Sequence, residues 1–275
     1  MTTSPLQKRI DALPFPVGAG ILVWPLDGGY YVSDAPAPPG AWSELRGEHR
    51  RSGLWPVFLQ CHESASSTHW NEGWAGFRWS NRLASDDETY DAAAVLERQW
   101  HEFGPEADAT AEELADYAAQ RAPFAREWPG PAPAIEIRLP PDEVADDFAE
   151  RLINDPHTRL GLVPVDRGAD VPRATGWWAS EEISPGAVSA VLRSWEDRFG
   201  ARLIRIGFNT MVVSVAAPPT TLPDAHRVAA EHLAFCQENV GYPEGALARY
   251  AEDLIGANHW AFWWERDSHE WIFDE

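Results

Sequence analysis

SPGAVSAVLRSWEDRFGARLIRIGFNTMVVSVA, residues 184–216, decides how the rest of the chain is read. Ser184 is placed to cap a helix and Pro185 to open it, since a serine hydroxyl accepts from the free N–H groups of a first turn and proline has none to lose. Val188, Val191, Leu192, Trp195 and Phe199 recur at helical spacing, and Gly200 is placed to end the helix. Two alternating runs follow, 202–208 and 211–216, with Asn209 and Thr210 as the turn between them. Alternation sets Ile204, Ile206 and Phe208 toward the helices together with Met211, Val213 and Val215.

Working outward, the spacing predicts a strand over 160–165, helices over 222–238 and 246–255, and a strand over 260–264. That order is βαββαβ with one added helix, and it predicts a ferredoxin-like antiparallel sheet. Upstream, short apolar runs at 21–24, 30–32 and 55–60 read as strands, 41–51 as a short helix, and 70–79 as aromatic strand or loop. Ala92, Val95, Leu96 and Trp100 share a helix face, and Thr110 with Glu113 forms a capping box ahead of Leu114 and Tyr117. Six prolines lie between 123 and 141, in a stretch that can be neither helix interior nor central strand. The reading is therefore an α+β protein of two domains, 1–133 and 134–275. The second opens with a short strand through Ile135 and Ile137 and a helix capped by Asp142, with Val144, Phe148 and Leu152 on one side.

The net charge of the 275 residues is -21, and residues 86–150 hold 18 acids against four arginines, a net of -14. Such a field repels phosphate backbones, which disfavours direct nucleic-acid binding; the acidity serves solubility or, in the sharper reading, attracts a basic protein. No run approaches the roughly 20 apolar residues of a membrane span, so no membrane association is expected. Lys8 is the only lysine, which removes P-loop and Schiff-base lysines. Two cysteines, Cys61 and Cys236, without a CxxC pair or a secretory leader, point to the cytoplasm.

The blocks Leu192–Arg202 (LRSWEDRFGAR), Pro218-Pro219, Ala230–Cys236 (AEHLAFC) and Trp260–Glu265 (WAFWWE) resemble the bacterial domain-of-unknown-function family 4253. Gly53–Val57 (GLWPV) and Trp128–Gly130 (WPG) look like the N-terminal region of its actinobacterial members. Gln237 and Glu238 stand where that family carries Pro-Asp, and Glu265 where it carries Asp. The resemblance implies no reaction, cofactor or catalytic residue.

Chemistry is therefore argued from the residues. Glu231, His232 and Cys236 are the candidate reactive set, since His and Cys four apart share a helix face and suit zinc or a nucleophile pair. Helical geometry places Cys236 inside the apolar arc of Leu222, Ala225, Ala229 and Leu233, His232 at its edge, and Glu231 on the opposite side. That favours core packing over reactivity. Zinc would need His226, His259, Cys61 or His62, none at motif spacing, so neither metal nor cofactor is expected. No GxSxG, HExxH or complete dinucleotide loop occurs. The candidate binding residues are Arg205, Trp263 and Trp260: a split sheet leaves one face showing Leu203, Arg205, Val212, Ser214, Ala261 and Trp263, either under the N-terminal domain or open to a partner or small ligand. The favoured class is a non-enzymatic binding or regulatory protein, of the immunity type that neutralises a basic partner such as a toxin. The rival is an enzyme of unrecognised class with its Glu231, His232 and Cys236 site in the interdomain cleft.

Overall fold

The computed structural model describes residues 4–23, 29–60, 88–153 and 158–265, apart from Phe103, Glu106, Ala107, Ala179, Glu181, Phe208, Tyr242 and Glu244. The expected strand or loop at 70–79 lies outside these residues, as do Cys61 and His62. The elements in chain order are α1 (Pro5–Asp11), β1 (Gly20–Val23), β2 (Tyr30–Pro36), α2 (Ala41–Ser52), β3 (Leu54–Gln60), α3 (Ala92–Glu102), α4 (Ala111–Gln120), α5 (Pro141–Leu152), β4 (Thr158–Pro164), α6 (Val171–Thr175), α7 (Pro185–Phe199), β5 (Ala201–Ile206), β6 (Thr210–Val215), α8 (Leu222–Phe235), α9 (Ala246–Leu254) and β7 (His259–Trp263). Short 3₁₀ turns at Gly168–Asp170 and Gln237–Asn239 precede α6 and α9.

The local signals around α7 hold in detail. Ser184 Oγ accepts from Ala187 N–H at 3.2 Å, Pro185 opens the helix, and Gly200 closes it at φ +61°. A Cβ at Gly200 would fall 2.9 Å from Pro141 Cγ, so space as well as backbone conformation requires glycine there. The Thr110–Glu113 capping box on α4 is present in both directions.

Among the described residues, seven strands form one mixed sheet in the order β1-β2-β4-β3-β5-β6-β7. Every neighbouring pair is antiparallel except β3 with β5, which run parallel through Phe58↔Arg205 and Leu59↔Ile206. This differs from the expected ferredoxin-like order, in which β4 would lie between β6 and β7: here β4 pairs with β2 and β3, β3 separates it from β5, and β5, β6 and β7 form a simple meander. Each of the spans 1–133 and 134–275 thus contributes strands to the same sheet, and the buried apolar residues of both fall in one cluster. The physical reason is the composition of β3: Leu54, Trp55, Val57, Phe58 and Leu59 are all buried, and a strand apolar on both faces needs a central place with helices on either side.

On one face α2 packs against β3 through Trp42, whose ring centroid lies 5.3 Å from that of Phe58, and α5 covers β5 and β6. On the other, α7 and α8 close over β5–β7, where Trp195 stacks on Phe262 at 5.3 Å and Phe235 meets Phe262 and Trp264. The proline-rich stretch 123–141 contains no strand. Ile135 makes a single backbone bond, its N–H to Arg198 O at 3.0 Å, because no extended partner lies beside it. Asp142 does not cap α5. Pro140 occupies the cap position, and Asp142 instead pairs with Arg202 at 2.8 Å while Asp146 pairs with Arg46 at 2.6 Å, tying α5 to β5 and α2.

Candidate functional site

Three places among the described residues bear on function. The first lies inside the molecule, where α7 and α8 cross under β7. Glu231 is fully buried, not turned to solvent, because α8 is enclosed on that side as well by α7 and the 131–133 segment. Its carboxylate accepts from Arg198 Nη1 and Nη2 at 2.7 and 2.6 Å, from Trp195 Nε1 at 2.9 Å and from Ala132 N–H at 2.7 Å. Two charges out of water are tolerable only when every lone pair is met in this way.

His232, also fully buried, faces away from that pair. Its ring lies edge-on to Trp195, Trp260 and Phe262, and Nδ1 shares a hydrogen bond with the Tyr250 hydroxyl at 3.0 Å. Burial, with Arg198 adding to it, holds its pKa down to about 3, so the ring is neutral near pH 7. Cys236 is not on the helix but caps it in extended conformation, and its thiol donates to Trp263 O at 3.0 Å. Burial and the Glu238 carboxylate push that thiol up and keep it protonated. A nucleophile pair needs a thiolate beside an imidazolium; here both groups are held in the opposite form, and their hydrogen bonds go to different partners. The other histidines weighed as zinc donors are also engaged elsewhere, His226 against Phe124 and His259 stacked on Phe148 at 4.7 Å. Among the described residues no group of three His, Cys, Asp or Glu is placed to hold a metal ion.

The second place is the sheet face read as open. A bulge between Leu203 and Arg205 breaks the alternation there: Leu203 pairs with Val213 and turns to the α7 side, 2% exposed, whereas Arg205 pairs with Val212 on the opposite face. Arg202, Ser214 and His259 lie in register on that face under α5. So α5, not the N-terminal span, covers this end. At the other end Val212 is buried, Arg205 half-buried, Ala261 exposed, and Trp263 48% exposed. Trp260 does not join them. It is 1% exposed in the core against Trp195 and Phe199, because alternation along β7 sends it to the helix side.

The third place is a groove of about 610 Å³ along α4, lined by Asp108, Glu113, Asp116, Tyr117, Arg121 and Gln237 among others. The three acids are exposed. Hydrogen bonds from the Thr110 backbone and hydroxyl hold Glu113 below the usual carboxylate range. Arg121, the cation among the lining residues, is 2% exposed, with its guanidinium 4.0 Å from the Tyr117 centroid and 4.5 Å from that of Trp100. Burial lowers its pKa to about 10, so it keeps its charge at neutral pH but directs it inward. The acidic excess and the capping box are legible in the sequence, but the groove is not, because Gln237 arrives from a turn far along the chain.

Among the described residues no helix is long and apolar enough to cross a membrane. Comparison with curated proteins and with solved structures gave no match. Residues 159–265, from the second residue of β4 to just past β7, match the family model described as Domain of unknown function (DUF4253).

Proposed function

We propose that the protein is a non-enzymatic binding or regulatory protein of the immunity type, which holds a basic protein by its acidic surface. The observation that carries this reading is the α4 groove. Asp108, Glu113 and Asp116 present carboxylates to solvent beside the half-buried Tyr117 ring, while Arg121 is withdrawn from the opening. An arginine or lysine side chain entering there meets uncompensated negative charge, and the acidic field around it speeds encounter. The rival enzyme reading gains no support from Glu231, His232 and Cys236, which are sealed and hold no reactive form. In this reading the protein works in the reducing cytoplasm, where Cys236 stays a thiol.

The test is titration of the full chain with a hexa-arginine peptide at low and moderate salt. Expected is binding that weakens as salt rises and falls about tenfold in the Asp108→Asn, Asp116→Asn variant, with Glu113 kept because it caps α4. No binding at low salt, or binding indifferent to the two substitutions, would sink the proposal.

A further inference from the structure

β7 closes its side of the sheet, pairing with β6 and, among the described residues, no other strand. Trp264 N–H reaches Asn209 O on the β6 side, so by alternation Ala261, Trp263 and Glu265 direct their backbone groups outward. A row of such groups is a template for another strand. Here the 3₁₀ turn Gln237–Asn239 and its flank take them up with side chains. Asn239 Oδ1 accepts from Trp263 N–H at 3.0 Å and Asn239 Nδ2 donates to Ala261 O. The Cys236 thiol donates to Trp263 O at 3.0 Å, and Glu238 Oε1 accepts from Glu265 N–H at 3.3 Å. The Asn239 carboxamide thus presents one donor and one acceptor to the edge, as a neighbouring strand would.

The strap is anchored outside the sheet. Gln120 Nε2 donates to Gly241 O at 2.6 Å, and Gly245 N–H donates to Ala119 O at 3.1 Å, both on the C-terminal end of α4. Below it, the edge strand reads His259-Trp260-Ala261-Phe262-Trp263, without glycine, proline or a formal charge. That composition suits self-pairing. Laid antiparallel across a two-fold axis, two copies would meet with the same five residues on each side, and the exposed Trp263 would gain a cross-strand neighbour.

We infer that Cys236, Glu238 and Asn239 form a strap that occludes a latent strand-docking edge on β7, and that the occupant of the uncovered edge is β7 of a second copy of this chain. Asn239→Ala removes both carboxamide bonds. Its mass by light scattering is expected to rise twofold over the native chain across a concentration series, and the increase to disappear when Trp263→Lys is added, since a lysine on an edge blocks pairing. A folded Asn239→Ala chain with the native mass at every concentration would overturn the inference. So would an increase that survives Trp263→Lys, which would place the contact on another surface or partner. Should Asn239→Ala not fold, amide exchange in the native chain decides. The strap requires Trp263 N–H to exchange at least about tenfold faster than Phe262 N–H, which faces β6, and equal protection overturns it.

Discussion

Two charged regions of this molecule, the Arg198–Glu231 pair under β7 and the groove along α4, dispose of their charge in opposite ways. Under β7, Arg198 and Glu231 are shut away with every oxygen of the carboxylate engaged, His232 is neutral and Cys236 is protonated. Along α4, Asp108, Glu113 and Asp116 stay wet and Arg121 alone is withdrawn. The residues that look most reactive in the sequence are the ones the fold disarms, because burial penalises the ionised form on which reactivity depends. The groups left with unspent charge belong to an unremarkable acidic helix. The place to look for a partner is therefore the wet region, and the dry one is a matter of stability.

That contrast can be broken most sharply at Glu231. Glu231→Ala removes the carboxylate that holds the largely buried Arg198 guanidinium and leaves Trp195 Nε1 and Ala132 N–H without their acceptor, and should cost about 3–5 kcal/mol of unfolding free energy. A loss below about 1 kcal/mol in a denaturant titration would show that the pair is not desolvated. Replacing both residues with apolar ones of similar volume should restore most of the loss.

The next effect is on pH dependence. His232 titrates at about 3 in the fold and near 6.5 when unfolded. Between those values the unfolded chain binds the extra proton, so the histidine's contribution is complete above pH ~6.5 and is lost as pH falls toward 3. At pH 4 the loss is about 3 kcal/mol. Carboxylates titrate in the same range, so the measurement is the difference between the native chain and His232→Gln, whose stability should fall less steeply on acidification. Parallel curves would refute a buried neutral imidazole.

A smaller, kinetic signature is expected at Cys236. In a Cys61→Ser background the native chain should react with a thiol-specific disulfide reagent only at the rate of local opening, and fully once unfolded. Immediate labelling of the folded chain would return Cys236 to the list of reactive groups. Neutralising Asp108 and Asp116 should change stability least, within about 0.5 kcal/mol, since exposed charges contribute little to folding. Their effect should appear in binding of the basic peptide alone.

Much of this was legible in the sequence where one element suffices to decide. The cap, stripe and terminating glycine of α7, the capping box of α4 and the order of the longer elements from β4 to β7 follow from spacing within a few turns, whereas the five-residue α6 is not legible in that way. The failures share one cause. Leu203 was assigned to the wrong face because a single bulge shifts the alternation of β5, and a bulge leaves no mark in the residues themselves. Glu231 reads from the sequence only as lying opposite the apolar arc, because helical geometry records its direction but not that the 131–133 segment and Arg198 wait there. Asn239 escaped notice entirely, since its two bonds to β7 span more than twenty residues.

The residue types and their local periods determined by themselves which segments become helix, which become strand, where charge accumulates, and the likeness over residues 159–265 to a described family. Only the tertiary structure decided that β3, from outside that span, enters the sheet between β4 and β5, and that the edge of β7 is closed by side chains. The reason is range. Local geometry follows from neighbours a few residues apart, whereas strand order and burial depend on which distant surfaces exclude water together.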